Sequence, residues 1–167
     1  MAIRTPTELK GLIKPGWRLL GLDLGEKTIG LALSDVTLTI ASAFDTLTRQ
    51  SMTKDLGALI RIVRDQQVGG MIIGLPIQMD GSEGERAEVT RRFARDMLIR
   101  VDIEIAFWDE RLSSAAVERM LITEADMSRK RRREVVDKAA ATYILQGALD
   151  ALNYQKGLAR ISHRDAE

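Results

Sequence analysis

The 167-residue chain contains no cysteine and only one histidine, His163, close to its C-terminal end. Without cysteine it can form no disulfide, no thiolate zinc site and no cysteine nucleophile, and this composition is typical of a reducing compartment. A histidine in a chain terminus is poorly placed to act as a general base or as a member of a catalytic triad. We therefore expect any catalysis to depend on carboxylates, hydroxyls or lysines.

Aromatic residues make up 4% of the chain, and no apolar run approaches the roughly 18 residues of a membrane span. A row of rings for base stacking is therefore not expected. The first ten residues lack the apolar block of a signal peptide. We expect a soluble, cytoplasmic protein without a membrane partner. Because 25 basic and 24 acidic residues nearly cancel, only local charge clusters can indicate a binding partner.

Alternating or wholly apolar segments predict five β-strands, at residues 17–24, 28–35, 38–46, 70–75 and 102–108. Short links between the first three suit antiparallel hairpins, whereas the later strands are separated by helices and need parallel crossovers. Helical periodicity predicts helices at residues 52–67, 82–98, 113–121 and 134–153, the second beginning with a capping box of Ser82 and Glu85.

This order of elements predicts an α/β protein whose five-stranded mixed sheet has helices on both faces. The domain is expected to span residues 17–153. Residues 1–16 are expected to form an N-terminal extension with a short helix, and residues 154–167 a flexible C-terminal tail.

Acidic residues follow or interrupt two of the predicted strands. Asp23 lies within the apolar run Gly-Leu-Asp-Leu-Gly, where a buried carboxylate without a partner would cost several kcal/mol. Since adjacent strand residues point to opposite faces, either Asp109 or Glu110 can share the face of Asp23. The other of the two can pair with Arg111.

A third acid, Asp137, lies near the start of the last predicted helix, at the edge of its expected apolar stripe. That stripe consists of Val136, Ala140, Tyr143, Ile144, Gly147 and Ala151. Three carboxylates from two strands and a helix are what two divalent ions need for in-line displacement at phosphorus. We therefore expect Mg²⁺ or Mn²⁺, with two ions, since both metals prefer oxygen ligands.

Several residues are candidates for contact with nucleic-acid phosphates. Gly81 and Ser82 precede a helix whose free N–H groups favour an anion, and Lys27 lies in the first strand turn. We assign the same role to Arg111. Five consecutive cations precede Asp137, and their mutual repulsion predicts a loop there. They are Arg129, Lys130, Arg131, Arg132 and Arg133. The alternatives are an exposed turn lysine, a capped helix without a ligand and a solvated basic loop.

Four blocks of the chain resemble the YqgF family, also called the Holliday-junction-resolvase-like or pre-16S rRNA nuclease family. The blocks are GLDLGEKTIGLALSD, IIGLPIQMDGSEGERAEVTRRFARDM, WDERLSSAAVERML and VVDKAAATYILQGALD, and they cover roughly residues 17–152. The resemblance implies an RNase H-like three-layer fold. It also implies that the catalytic, metal-binding acids are Asp23, Glu110 and Asp137, and that the family trims the 5′ end of precursor 16S rRNA.

We therefore expect a metal-dependent nuclease that processes structured RNA, with precursor rRNA or a pre-ribosomal particle as partner, acting as a monomer or weak homodimer. One alternative is a Holliday-junction-resolving DNA endonuclease, which should be a two-fold dimer because it makes two symmetric cuts. Another is a nucleic-acid-binding module without catalysis. An actin-like ATPase is disfavoured, because 167 residues leave no room for a second lobe.

Overall fold

The computed structural model describes residues 3–112 and 129–164. The helix expected over 113–121 lies outside these residues. A turn of 3₁₀ helix, Glu110–Leu112, follows the last strand. The elements in chain order are β1 (Ile3–Arg4), α1 (Pro6–Leu9), β2 (Arg18–Leu24), β3 (Thr28–Ser34), β4 (Ala41–Thr48), α2 (Met52–Asp65), β5 (Val68–Leu75), α3 (Glu85–Arg100), β6 (Glu104–Asp109) and α4 (Arg129–Arg164).

The strands form one mixed sheet in the order β1-β6-β5-β2-β3-β4. β2, β3 and β4 pair antiparallel, as the short links predict, and β5 lies parallel to both β2 and β6. The sheet has six strands and not the expected five, because β1 adds to the edge of β6. Two residues are too short to show any periodicity in a sequence, so the sixth strand had no pattern to reveal it. The α/β class is confirmed.

Alternation along β2 sends its side chains to two different layers. Leu20 and Leu22 face α2 and α3 and pack in a core with Phe93. Leu19 faces α4 and packs with Ile144. The positions of β2 that follow Leu19 on the α4 side are Gly21 and Asp23.

Helix α4 can lie close to the strands because glycines face it. A Cβ added to Gly21 would stand 2.9 Å from the carbonyl oxygen of Ala141, and one added to Gly30 would stand 2.0 Å from the carbonyl oxygen of Asp137. A side chain at either position would push the helix away from the sheet. The glycines therefore set the distance between α4 and the end of β2.

The buried stripe of α4 differs from the predicted one. It consists of Ala141, Ile144, Leu145, Ala148, Leu149 and Leu152, and Tyr143 is exposed. Of the predicted stripe only Ile144 is fully buried. Spacings of four and seven residues connect Asp137 to Ala141 and Ile144, so Asp137 lies above the centre of the contact with the sheet and not at its edge.

The bounds of α4 are wider than predicted. The helix begins at Arg129, so residues 129–133 form its first turns and not a loop before it. It also continues to Arg164, through most of the segment expected to be a flexible tail. The division into extension, domain and tail stays a prediction. In the described part of the chain, α4 included, no helix combines the length and the apolar character that crossing a membrane requires.

The N-terminal residues are packed against the rest of the fold. Ile3 pairs with Ile105 and Arg4 with Ala106 on β6. Leu9 is fully buried in the core beneath α4. In the predicted short helix, the carboxylate of Glu8 accepts a hydrogen bond from the backbone N–H of Thr5 at 3.4 Å.

Candidate active site

Three acids from distant parts of the chain meet at the end of the sheet where β2 and β6 finish. Asp23 is the second-last residue of β2 and pairs with Gly30 of β3. Glu110 directly follows β6, and its Oε1 lies 2.8 Å from the point where a Cβ of Gly74 would stand. Asp137 of α4 lies over Gly30. The fold thus brings the three predicted acids into one group.

Asp23 and Glu110 are joined by a hydrogen bond between their carboxyl groups. Burial, with smaller contributions from the charges of Glu110 and Asp137, raises the pKa of Asp23 to about 7, and the charge of Arg86 opposes this shift. Burial also raises the pKa of Glu110, against the hydrogen bond from Asp23 and the charge of Arg86. The hydrogen bond raises the pKa of Asp23 and lowers that of Glu110, as expected when a protonated Asp23 donates to the Glu110 carboxylate.

The third acid is held by a residue that sequence reasoning missed. The hydroxyl of Thr28 donates a hydrogen bond to Oδ2 of Asp137. Thr28 and Gly30 lie on the same face of β3, which is the face that α4 covers. A polar residue on a glycine-lined face was the available indication. The contact fixes the Asp137 carboxylate on the side of the sheet that carries Asp23.

The sequence left open which of Asp109 and Glu110 shares the face of Asp23, and the structure answers this. Asp109 accepts hydrogen bonds from Arg111, the shortest being 2.7 Å from Nη2 to Oδ2. This interaction lowers the pKa of Asp109. Glu110 alone of the two contacts Asp23. The guanidinium of Arg111 also lies 3.9 Å from the position of a Cβ on Gly81.

The loop with Gly81 and Ser82 is a small hairpin closed by its own hydrogen bonds. The Gly81 N–H donates to the carbonyl of Gln78 at 2.9 Å, and Gly81 has a φ of +87°. The hydroxyl of Ser82 donates to Asp80 at 2.6 Å. The predicted capping box is wrong, because Ser82 bonds within the loop and Gly84 is the N-cap of α3. A role of Gly81 and Ser82 in phosphate binding stays a prediction.

Cationic residues lie near the acids in the chain. Lys27 is exposed in the turn between β2 and β3, four residues after Asp23. Residues 129–133 are the first turns of the helix that carries Asp137, and Arg131 is exposed. Helix α4 therefore places the basic run at the same end of the fold as the acids. Contact of these cations with nucleic acid stays a prediction.

The acids fit divalent cations by chemistry but are not arranged around an ion. Among the side chains that the structure describes, no three acidic or histidine groups converge on a single metal position. Instead Asp23 and Glu110 bond to each other, and Thr28 bonds to Asp137. All donors are carboxylate oxygens, which Mg²⁺ and Mn²⁺ prefer. The raised pKa of Asp23 also shows that the three acids repel one another as carboxylates, so a bound cation would be favourable there.

Comparison with known proteins identifies close relatives. The RuvX family model, described as Holliday junction resolvase, matches residues 17–151. A protein of Paramagnetospirillum magneticum named "Putative pre-16S rRNA nuclease" is 57% identical over 150 residues, which cover 90% of this chain and 96% of that protein. A protein of Jannaschia sp. with the same name is 52% identical over 161 residues, covering 95% and 100%. The resemblance found in the four sequence blocks is confirmed.

Solved structures show the same fold at low sequence identity. T. thermophilus RuvC in complex with a Holliday junction substrate has a TM-score of 0.53 and 10% identity, over 84% of this chain and 96% of that one. The fowlpox virus resolvase in complex with Holliday junction DNA has a TM-score of 0.51 and 8% identity, over 81% and 98%. This likeness concerns the fold alone and confirms the expected RNase H-like class.

Proposed function

Since this chain belongs to the RuvX family, we propose that it is a metal-dependent nuclease that hydrolyses phosphodiester bonds in structured RNA, with the 5′ end of precursor 16S rRNA as its substrate. The observation that carries the proposal is the group formed by Asp23, Glu110 and Asp137 at the end of the sheet. The RNA substrate is favoured by two relatives named "Putative pre-16S rRNA nuclease", which are more than half identical to this chain over nearly their full length.

The three acids would hold Mg²⁺ or Mn²⁺, two ions in our proposal, and bound ions of this kind supply an activated water and stabilise the leaving oxygen. The protein's own contribution is to keep the carboxylates close before the ions arrive. Thr28 orients Asp137 through its hydroxyl. The proton shared by Asp23 and Glu110 has to leave before both carboxylates can act as ligands.

Around these acids, basic residues would hold the RNA backbone. Lys27, Arg111 and the run at residues 129–133 lie in segments adjacent to the acids in the chain. Phosphate contacts of this kind position a nucleic acid without reading its sequence, and they weaken with salt. The hairpin of Gly81 and Ser82, next to Arg111, would contribute backbone N–H groups.

Resolution of Holliday junctions is the second candidate, because the family model that matches the chain carries that description. It would use the same acids on a DNA substrate. The difference between the two candidates lies in the nucleic acid and in the number of cuts, since a junction resolvase makes paired, symmetric cuts.

The test is cleavage by the purified protein of two substrates in parallel, an end-labelled precursor 16S rRNA fragment with its 5′ extension and a synthetic four-way DNA junction. Each is incubated with Mg²⁺, with Mn²⁺ and with EDTA. The variants are Asp23→Asn and Asp102→Asn, which make the same change of charge. Asp102 is exposed and precedes β6, at the opposite end of that strand from Glu110.

We expect the wild type and Asp102→Asn to cut the rRNA precursor at a defined 5′ position with either metal, and Asp23→Asn to bind the RNA without cutting it. Paired cuts in the junction with an intact rRNA fragment would replace the main proposal by the second candidate. Undiminished cutting by Asp23→Asn would refute the role of the acid group.

A further inference from the structure

A cavity of about 240 Å³ lies at the end of β2, beside the residue that follows Asp23. One wall is the end of β2 and the turn after it, with Leu24 and Gly25, and another is the first turns of α3. Leu24 and Asp23 are neighbours in a strand and so point to opposite faces. The acids and the cavity therefore lie on the two sides of the same strand end.

Two arginines line this cavity, and the first of them, Arg49, has a structural role. Its Nη1 donates to the carbonyl oxygen of Gly25 at 3.0 Å, and its Nε donates to Asp55 at 3.4 Å. Asp55 is only 5% exposed. Arg49 therefore ties the β2–β3 turn to the start of α2, and its charge is already compensated.

The second arginine, Arg86, is exposed in the first turn of α3, at the rim of the cavity. Among the residues that the structure describes, its guanidinium takes part in no ion pair or side-chain hydrogen bond. Of the other four arginines of α3, Arg95 and Arg100 also have no such partner among the described residues, but they do not line this cavity. The remaining two are engaged. Arg91 donates to Glu83 at 2.8 Å, and Arg92 lies 3.6 Å from Glu88.

Arg86 is also close enough to the acid group to act on it. Its positive charge lowers the pKa of Asp23 and of Glu110, against the larger effect of burial. Sequence reasoning gave Arg86 no role, because α3 carries many charges of both signs and nothing in their spacing distinguishes one of them.

We propose that Arg86 binds the backbone phosphate next to the scissile one, and that the adjoining cavity receives the nucleotide attached to it. This inference rests on the proposed nuclease function. A strand held at the acids and continuing over the end of β2 brings its next phosphate to the α3 side. A planar guanidinium without a protein anion is suited to grip that phosphate through two hydrogen bonds.

The charges of the cavity limit where a phosphate can bind. Glu26 and Glu85 also line it, so the cavity as a whole does not attract anions. Their repulsion confines the phosphate to the rim at Arg86, while the sugar and base enter the uncharged part beside Leu24 and Val89. Arg86 is thus a substrate-binding residue specific to one linkage.

The experiment combines Arg86→Gln with neutral linkages in the RNA. Single methylphosphonates replace, one at a time, the phosphates at three positions on each side of the cleavage site, and kcat and KM are measured for each substrate. Loss of a hydrogen-bonded charge pair corresponds to a factor of about ten. With unmodified RNA we therefore expect Arg86→Gln to raise KM about tenfold and to leave kcat within about threefold.

At one flanking position, the neutral linkage should raise the KM of the wild type about tenfold and that of Arg86→Gln less than twofold, because the contact has already been lost. Arg92→Gln is the matched control and should behave as the wild type at every position. Arg86→Lys should recover part of the KM effect, because the charge remains and the second hydrogen bond is lost.

A direct binding measurement separates this inference from catalysis. In EDTA, the plot of log binding constant for RNA against log salt concentration should be steeper by about 1 for Asp23→Asn than for Asp23→Asn/Arg86→Gln. If the wild type cuts RNA but every neutral linkage affects it and Arg86→Gln by the same factor, the role of Arg86 is refuted and the nuclease function stands. If the wild type cuts no RNA, the proposed function fails and this inference with it.

Discussion

Replacing Asp23 by asparagine is expected to stabilise the metal-free protein while abolishing its proposed activity. Burial raises the pKa of Asp23 to about 7, and the charges of Glu110 and Asp137 contribute to this. The unfolded chain ionises Asp23 at an ordinary value of 3.8. A difference of about three pKa units corresponds to about 4 kcal/mol in the free energy of unfolding. Because Asp23 titrates together with Glu110, we expect about 2–4 kcal/mol.

The sign of the pH dependence follows from proton binding. Between pH 3.8 and about 7, the folded protein holds a proton on Asp23 that the unfolded chain has released. Stability therefore falls as the pH rises through this window, and the loss is complete above about pH 7. Asparagine does not titrate, and its amide can still donate to Glu110. The stability advantage of Asp23→Asn should be small at pH 4 and largest at pH 8.

Urea unfolding in EDTA, followed by tryptophan fluorescence at pH 4, 6 and 8, measures this difference. For a chain of this length, the expected gain at pH 8 raises the melting temperature by about 4–16 °C. Asp102→Asn, which removes an exposed charge, should change the free energy of unfolding by less than about 0.5 kcal/mol. Addition of Mg²⁺ should stabilise the wild type more than Asp23→Asn.

Two results would contradict this reasoning. One is an Asp23→Asn protein no more stable than the wild type at pH 8 in EDTA. The other is a gain that does not change between pH 4 and pH 8, since an effect unrelated to the ionisation of Asp23 would not follow its pKa. Either result would mean that the acids are less crowded in the folded protein than their contacts indicate.

Three further variants test other parts of the site. Gly30→Ala would place a Cβ 2.0 Å from the carbonyl oxygen of Asp137, so it should lower the free energy of unfolding by about 1–3 kcal/mol and reduce the rate of cleavage. In the same urea titration, the control Gly57→Ala should be neutral or stabilising, because a Cβ at Gly57 has no atom within 4 Å. Thr28→Val should lower kcat about 10–100-fold at nearly unchanged stability, with activity retained by Thr28→Ser, and an unchanged kcat would remove its orienting role. Glutamine at all five positions of 129–133 should lower the salt slope of RNA binding by several units, and an unchanged slope would exclude contact with phosphates.

Much of the fold follows from local patterns in the sequence. The strands around Leu22, Leu31 and Ile72 are apolar or alternating, and all five predicted strands exist. The short turn after Leu24 forced an antiparallel pair, whereas the helical segment before Val68 required a parallel one. These features depend on neighbours in the chain, so a single sequence contains them.

The candidate site was predictable where burial made a charge costly. Asp23 in an apolar strand needed a partner, and the structure supplies Glu110. The choice between Asp109 and Glu110 was not predictable from residue parity alone, because it depends on which acid Arg111 takes.

The orientation of α4 could not be derived from its own sequence. Val136 and Ala140 are as apolar as Ala141 and Leu145, so the helical wheel alone does not select a face. Gly21 of β2 and Gly30 of β3 determine which face of α4 contacts the sheet, and they come more than 100 residues earlier in the chain. Arg86 and Thr28 were missed for a similar reason, since their importance comes from neighbours brought close only by folding.

The distance along the chain between the acids has a consequence during protein synthesis. Asp137 and the helix that carries it leave the ribosome more than 100 residues after Asp23. Until that helix docks, the surface around Leu19, Ile72 and Ala106 has no cover. An incomplete nascent chain would therefore lack the third acid of the proposed site, and premature termination before α4 would release a fragment with an exposed apolar surface that favours aggregation.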